Sequence, residues 1–176
     1  TFDEQSPAGT GFLADVCDAW ETAAAPATGG GTRVAYLRTG IVLSAAGGAL
    51  KKQLPLFKAF LGGKMGSGDQ WQSWIHIDDE VGSILHLLTS TVDGPVNLTA
   101  PTPVTNAEFT KTLGDVLGRP TILPIPKFGP KLVLGGELAD NLLFSGQKVV
   151  PSVLEQDGYA FAHPQLEGAL RDLLGK

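Results

Sequence analysis

The sequence carries one cysteine, Cys17, in 176 residues. An internal disulfide and a metal site built on several thiolates are therefore excluded. Such thrift with cysteine fits a reducing compartment, and the cytoplasm is the expectation. No run approaches the roughly 18 consecutive apolar residues of a membrane-spanning helix. The opening stretch TFDEQSPAGTG has neither the basic nor the apolar block of a secretory leader. Positive charge is scarce: 13 Lys and Arg face 18 Asp and Glu, a net charge of -5. A chain so balanced would have to hold phosphates against its own field, which excludes general nucleic-acid binding. Neither nucleic acid nor membrane is expected as a partner. The three histidines stand apart at 76, 86 and 163, with no HExxH spacing, so no metal site is expected. No GxSxG elbow marks a serine nucleophile, and no GxGxxG follows a strand near the start.

What remains is enough to fold. Apolar residues make up 43% of the chain and charged residues 18%, a balance that builds a core and argues against disorder. Apolar spacing predicts a helix over 11–25, ended by Pro26 and the glycine run at 29–31. The β-branched stretch RVAYLRTGIVLS predicts a strand over 33–38 that continues extended after Gly40. Leu50, Leu54, Phe57 and Leu61 mark a helix over 49–61, kinked at Pro55. Residues 62–68, GGKMGSG, read as a flexible loop. A strand is predicted over 71–77, with Asp78 capping a helix whose apolar face is Val81, Ile84, Leu85 and Leu88. Further strands are expected at 95–99, 122–125 and 159–162. Thr105 and Glu108 have capping-box spacing and open a helix that Gly118 stops. Helices are also expected over 130–144, just after Pro151, and over 164–174. Strands alternating with helices of this length indicate an α/β protein with parallel pairing.

Two stretches could bind a ligand. Residues 33–68 carry six Lys or Arg and no acid, whereas 1–32 carry five acids and no Lys or Arg. That cationic zone suits an anionic small molecule, or is a set of solvated lysines. The glycine loop runs into Asp69-Gln-Trp-Gln-Ser-Trp74. Indoles offer flat apolar walls, and amides and hydroxyls offer orienting hydrogen bonds. Strand alternation puts Trp71 and Trp74 on opposite faces, so the two could equally be packing anchors.

Read in order, RVAYLRTGIVLSAAGGAL, LPLFKAFLGGKMGSGDQWQSWIHIDDEVGSILHLL and GPVNLTAPTPVTNAEFTKTLGDVLGRP resemble the C-terminal half of the extended short-chain dehydrogenase/reductase proteins. Within them, the chain resembles the atypical branch of nucleoside-diphosphate-sugar epimerase-like proteins. The tail through GELADNLLFSGQKVVPSVLEQDGYAFAHPQLEGALRDLL resembles that branch's small C-terminal domain. The resemblance implies the C-terminal part of a Rossmann-like, NAD(P)-binding fold over 1–123, with a small, mostly helical subdomain over 124–176. It also implies that Arg38, Thr39, Gly40, Ile41 and Val42 pass the nicotinamide end of NADP or NAD. Ser67, Gly68, Gln70, Trp71, Ser73, Trp74 and His76 would stand on the substrate side. Such proteins hold the cofactor on a glycine-rich turn and move a proton with a Tyr-x-x-x-Lys pair. Neither motif is found here, since Tyr36 is followed by Gly40 and Tyr159 by His163 at the fourth position. The expectation is a substrate-binding portion of an NAD(P)-dependent epimerase-like oxidoreductase, with no catalytic residue, no cofactor bound and no activity by itself. Its partners would be a small molecule and a missing N-terminal half or a second copy. The other reading is a non-catalytic ligand-binding or interaction domain derived from that fold.

Overall fold

The computed structural model describes residues 1–28, 30–121 and 146–176. The strand expected at 122–125 and the helix expected over 130–144 lie outside them. Helix α1 (Phe12–Thr28) comes first, then strands β1 (Ala35–Thr39) and β2 (Ile41–Leu43) and helix α2 (Gly48–Lys58). Strands β3 (Trp71–Gln72) and β4 (Trp74–His76) lead directly into α3 (Ile77–Thr89). Strand β5 (Gly94–Leu98), strand β6 (Val104–Thr105) and helix α4 (Asn106–Leu117) follow. Helices α5 (Ser152–Gln156) and α6 (Leu166–Leu174) close the chain.

Strand β1 pairs parallel with β5, β2 parallel with β4, and β3 antiparallel with β6. Gly40 is the joint between the first two pairings. Its N–H donates to Leu98 O at 3.0 Å, and the next amide, Ile41, donates to Ser73 O at 2.8 Å. One extended segment thus changes partner in a single residue. A Cβ at position 40 would stand 2.5 Å from Ser73 O and 2.8 Å from Thr99 Cγ2, so only glycine lets these backbones meet.

Two apolar clusters flank the strands. Leu50, Leu54 and Phe57 of α2 meet Trp74, Phe109 and Leu113, with Leu166, Ala169 and Leu170 of α6 closing that layer. Ile75, Val96, Leu98, Leu87 and Leu154 form the other. Leu61 lies beyond the end of α2 and is exposed, so the expected fourth member of that helical face is absent from it. Helix α1 runs through Pro26 to Thr28, three residues past the expected stop. A proline in the last turn removes one hydrogen bond of an exposed helix, which the helix tolerates. Helix α4 has the expected capping box: Thr105 accepts from Glu108 N, Glu108 accepts from Thr105 N, and Gly118 ends the helix at φ 64°. No strand forms at 159–162; Tyr159 N donates to Leu154 O at 2.9 Å and Ala162 N to the Asp79 side chain.

Helix α3 departs from its expected amphipathicity except at Ile84, which packs on the second apolar cluster. Val81, Leu85 and Leu88 are 50–69% exposed, while Asp79, Glu80, Ser83 and Leu87 are buried. Its cap is also one turn of logic away from expectation. His76, not Asp78, is the N-cap, and its Nδ1 accepts from Asp78 N at 3.0 Å. The carboxylate of Asp79 accepts from Ala162 N at 2.7 Å, His163 N at 2.9 Å and the Tyr159 hydroxyl at 3.2 Å. Burial, with Asp79 adding to it, pushes the Tyr159 hydroxyl's pKa well above its usual value. The tail is held at its other end by a parallel bridge between Phe2 and Val149.

Candidate functional site

A cavity of about 190 Å³ opens between β2, α2, α4 and the β3–β4 segment. Trp71, Trp74 and Phe109 give it aromatic walls, and Ile41, Leu43 and Met65 give it aliphatic ones. Three carboxamides, Gln53, Gln70 and Gln72, also face it, and none of the described residues that line it is ionised. Whole small-molecule sites run to roughly 300–1,000 Å³. The volume of this cavity would fit a single ring-sized group, with indoles to stack on and amides to orient it.

Both tryptophans reach the same cavity because the strand breaks at Ser73. Residues 71–72 pair with β6 and residues 74–76 with β2, so simple alternation does not carry across. Trp74 is fully buried and donates Nε1–H to Thr102 O at 3.0 Å, serving as wall and core together. Trp71 is half-buried, with Lys148 Nζ 4.4 Å from its ring centroid, a cation–π contact. The preceding loop, expected to be flexible, is tied to the start of α4. Met65 N donates to Asn106 Oδ1 at 2.7 Å, Ala107 N to Gly68 O at 2.9 Å and Asn106 N to Gln70 O at 2.9 Å.

Of the residues singled out in the sequence for the substrate side, Gln70, Trp71 and Trp74 line this cavity. Ser67 is exposed, and its Oγ faces Asp69 N. Gly68, at φ +84°, packs on Ala107. Ser73 Oγ donates to Gln147 O and accepts from Val149 N, which fastens the tail. His76 is buried on the α3 cap, stacked on His163 with ring centroids 3.8 Å apart. Burial first, then the neighbouring His163, holds its pKa below the usual histidine value. Gln53, Met65 and Phe109 were not singled out. The spacing of α2 and α4 marks Gln53 and Phe109 only as helix positions, and Met65 lies in the glycine loop with no pattern of its own.

The segment expected at the cofactor is largely paired within the chain. Arg38 makes a two-pronged pair with Glu21 at 2.7 and 2.8 Å, which lowers the Glu21 carboxyl's pKa. Thr39 Oγ1 donates to Glu80 Oε1 at 2.9 Å, and burial raises the pKa of that carboxyl. Gly40 is filled around by the chain's own backbone, Ile41 faces the cavity, and Val42 packs on the second core cluster. These five residues do not by themselves form a dinucleotide cradle. The cationic zone is partly structural too: Arg33 donates to the Leu87 and Leu88 carbonyls in the last turn of α3 and to Val92 O beyond it, and Lys51 to Ala46 O.

Comparison with known proteins gives this geometry a context. An epimerase family protein of Mycobacterium bovis is 48% identical over 169 residues, 96% of this chain and 56% of that protein. The human epimerase family protein SDR39U1 is 41% identical over 175 residues, 98% of this chain and 59% of that one. The chain is a relative of the epimerase family proteins. It spans little more than half the length of these two. A crystal structure of the human protein with NADPH superposes with a TM-score of 0.90 at 37% identity, covering 99% of this chain and 59% of that one. The nucleoside-diphosphate sugar epimerase of Corynebacterium glutamicum gives 0.73 at 38% identity, covering 99% of this chain and 33% of that one. Residues 125–173 match a family described as a domain of unknown function (DUF1731). The fold is accordingly the Rossmann-like α/β fold of the extended short-chain dehydrogenase/reductases, as the sequence resemblance implied. Among the described residues no helix is long and apolar enough to cross a membrane.

Proposed function

We propose that this chain forms the substrate side of an NAD(P)-dependent, nucleoside-diphosphate-sugar epimerase-like oxidoreductase, and that alone it neither holds the cofactor nor turns over substrate. The cavity walled by Trp71 and Trp74 carries the reading. Its uncharged amide and indole lining suits one neutral ring of a substrate, while any diphosphate would lie outside it. The NADPH named with the human relative supports a nicotinamide cofactor for the complete protein. In this chain the Arg38–Val42 segment would meet it only from one side, because its polar groups are already paired.

The surface supports a larger assembly. Phe12, Leu13 and Trp20 of α1 are 58–78% exposed, and Val81, Leu85 and Leu88 of α3 stand out as well. A run of apolar side chains on solvent-facing helices marks a surface that another element covers. A cofactor-binding half fits that role, and a second copy of the chain is the other occupant. We assign 1–123 to the substrate portion and 124–176 to the appended unit, a division that the match over 125–173 supports. A reducing compartment such as the cytoplasm suits the exposed thiol of Cys17, although the Arabidopsis thaliana relative is named chloroplastic. The paired cofactor segment favours a second reading, a non-catalytic ligand-binding domain.

Tryptophan fluorescence tests the proposal in a Trp20→Phe background, which leaves Trp71 and Trp74 as reporters. UDP-glucose should change the emission saturably, and Trp71→Ala should abolish the response. NADPH should show no micromolar binding to this chain. Tight NADPH binding, or a UDP-glucose response that survives Trp71→Ala, refutes the assignment.

A further inference from the structure

Four side chains from three parts of the chain converge where β4 runs into α3. They are His76 and Asp78 at the head of α3, His163 just before α6, and Asp172 on α6. One ligand atom from each lies within 4.8 Å of every other. His76 Nε2 stands 3.3 Å from Asp172 Oδ2, and His76 Nδ1 stands 3.8 Å from Asp78 Oδ2. His76 is 1% exposed, and its buried Nε2 has no hydrogen-bond partner. A buried ring nitrogen left in that state beside two carboxylates calls for an explanation.

We propose that this cluster is a transition-metal site, of which Zn²⁺ is the best match. Two imidazoles and a carboxylate form a borderline donor set that favours zinc or its neighbours over calcium or magnesium. His76 Nε2, His163 and Asp172 supply three protein ligands, and water completes a tetrahedron. The two carboxylates offset the charge of the dication.

The protons balance as follows in chemical terms. With Nδ1 accepting from Asp78 N, the neutral His76 ring carries its proton on Nε2. Ligation needs the Nε2 lone pair, so that proton leaves and Nδ1 takes one up from solvent. The ring stays neutral, and its new Nδ1–H faces the Asp78 carboxylate. A carboxylate behind a ligating histidine is the usual outer partner of such a metal. Asp78 N then loses Nδ1 as its acceptor, so the first turn of α3 must shift for the new Nδ1–H to meet the carboxylate, a cost that ion binding has to offset. The rings are stacked at 25° to one another, so half-exposed His163 must tilt to aim a nitrogen at the ion. Its freedom and that of exposed Asp172 allow this adjustment. The bound ion would clamp α6 onto the end of β4.

The test uses the 176-residue chain with Cys17→Ser, which removes the competing exposed thiol. Zn²⁺ titrated by calorimetry should bind one ion per chain and raise Tm in a saturable way. Co²⁺ should give the visible absorption of a tetrahedral N/O site. Asp172→Asn and His163→Gln should each weaken Zn²⁺ binding by at least about tenfold, and Asp78→Asn by about 10–100-fold. Far-UV circular dichroism and the Tm in EDTA show that the variants remain folded. No saturable binding up to millimolar Zn²⁺ overturns the proposal. Binding unchanged in Asp172→Asn and His163→Gln overturns it as well.

Discussion

Replacing Asp79 with Asn keeps the shape of the side chain and removes its charge. The perturbation is specific because Ala162 N and His163 N bond to different oxygens of the carboxylate. In the amide one of those oxygens becomes an NH₂ that faces a backbone N–H. One charge-assisted bond is lost, and a donor is left unsatisfied beside a residue only 1% exposed, at about 1–3 kcal/mol. The surviving bond falls from charged to neutral strength, for about another 1 kcal/mol. The expected loss is about 2–4 kcal/mol. With a urea m-value of about 2 kcal/mol/M, the midpoint should fall by about 1–2 M. The adjacent Asp78→Asn serves as the control, because Asp78 is 71% exposed and takes no such bonds. It should lose less than about 1 kcal/mol, mostly from the charge at the start of the helix. Urea unfolding followed by circular dichroism in EDTA reads both. Equal stability of the two variants refutes the claim that Asp79 fastens the tail.

Gly40→Ala should destabilise by about 1–3 kcal/mol through overpacking against Ser73 O, whereas Gly168→Ala inside α6, with open space around it, should not; thermal melts compare them. Thr105→Ala should cost about 1 kcal/mol by opening the capping box of α4. The Glu108 carboxyl's pKa is lowered chiefly by the backbone N–H of Thr105. Its contribution is therefore present above the usual glutamate pKa and fades as pH falls through the lowered value, so stability profiles of wild type and Glu108→Gln should converge in acid. Leu85→Lys with Leu88→Lys should leave stability within about 0.5 kcal/mol, since both are exposed. The same pair should reduce self-association in sedimentation, and a large stability loss would show that the face is already covered.

Local rules sufficed for part of this protein. Thr105 and Glu108 predict their capping box because both partners lie within one turn. The helical spacing of Leu50, Leu54 and Phe57 finds a buried face because α2 packs on the core. The family resemblance located the Gln70–Trp74 stretch, four residues of which reach the cavity. The same rules misplace α3. Its apolar residues obey helical spacing, but spacing cannot say whether the apolar face meets this chain or another. Asp79 and Asp78 are neighbours of identical chemistry, and only packing against Tyr159 and Ala162 makes one a buried anchor and the other an exposed acid. His76, His163 and Asp172 carry no motif, because the contact that joins them depends on where α6 docks. The sequence by itself determined the alternating elements, the capping box of α4 and the kinship. Tertiary packing decided which groups were desolvated and which met, since burial and proximity depend on every layer of the fold together.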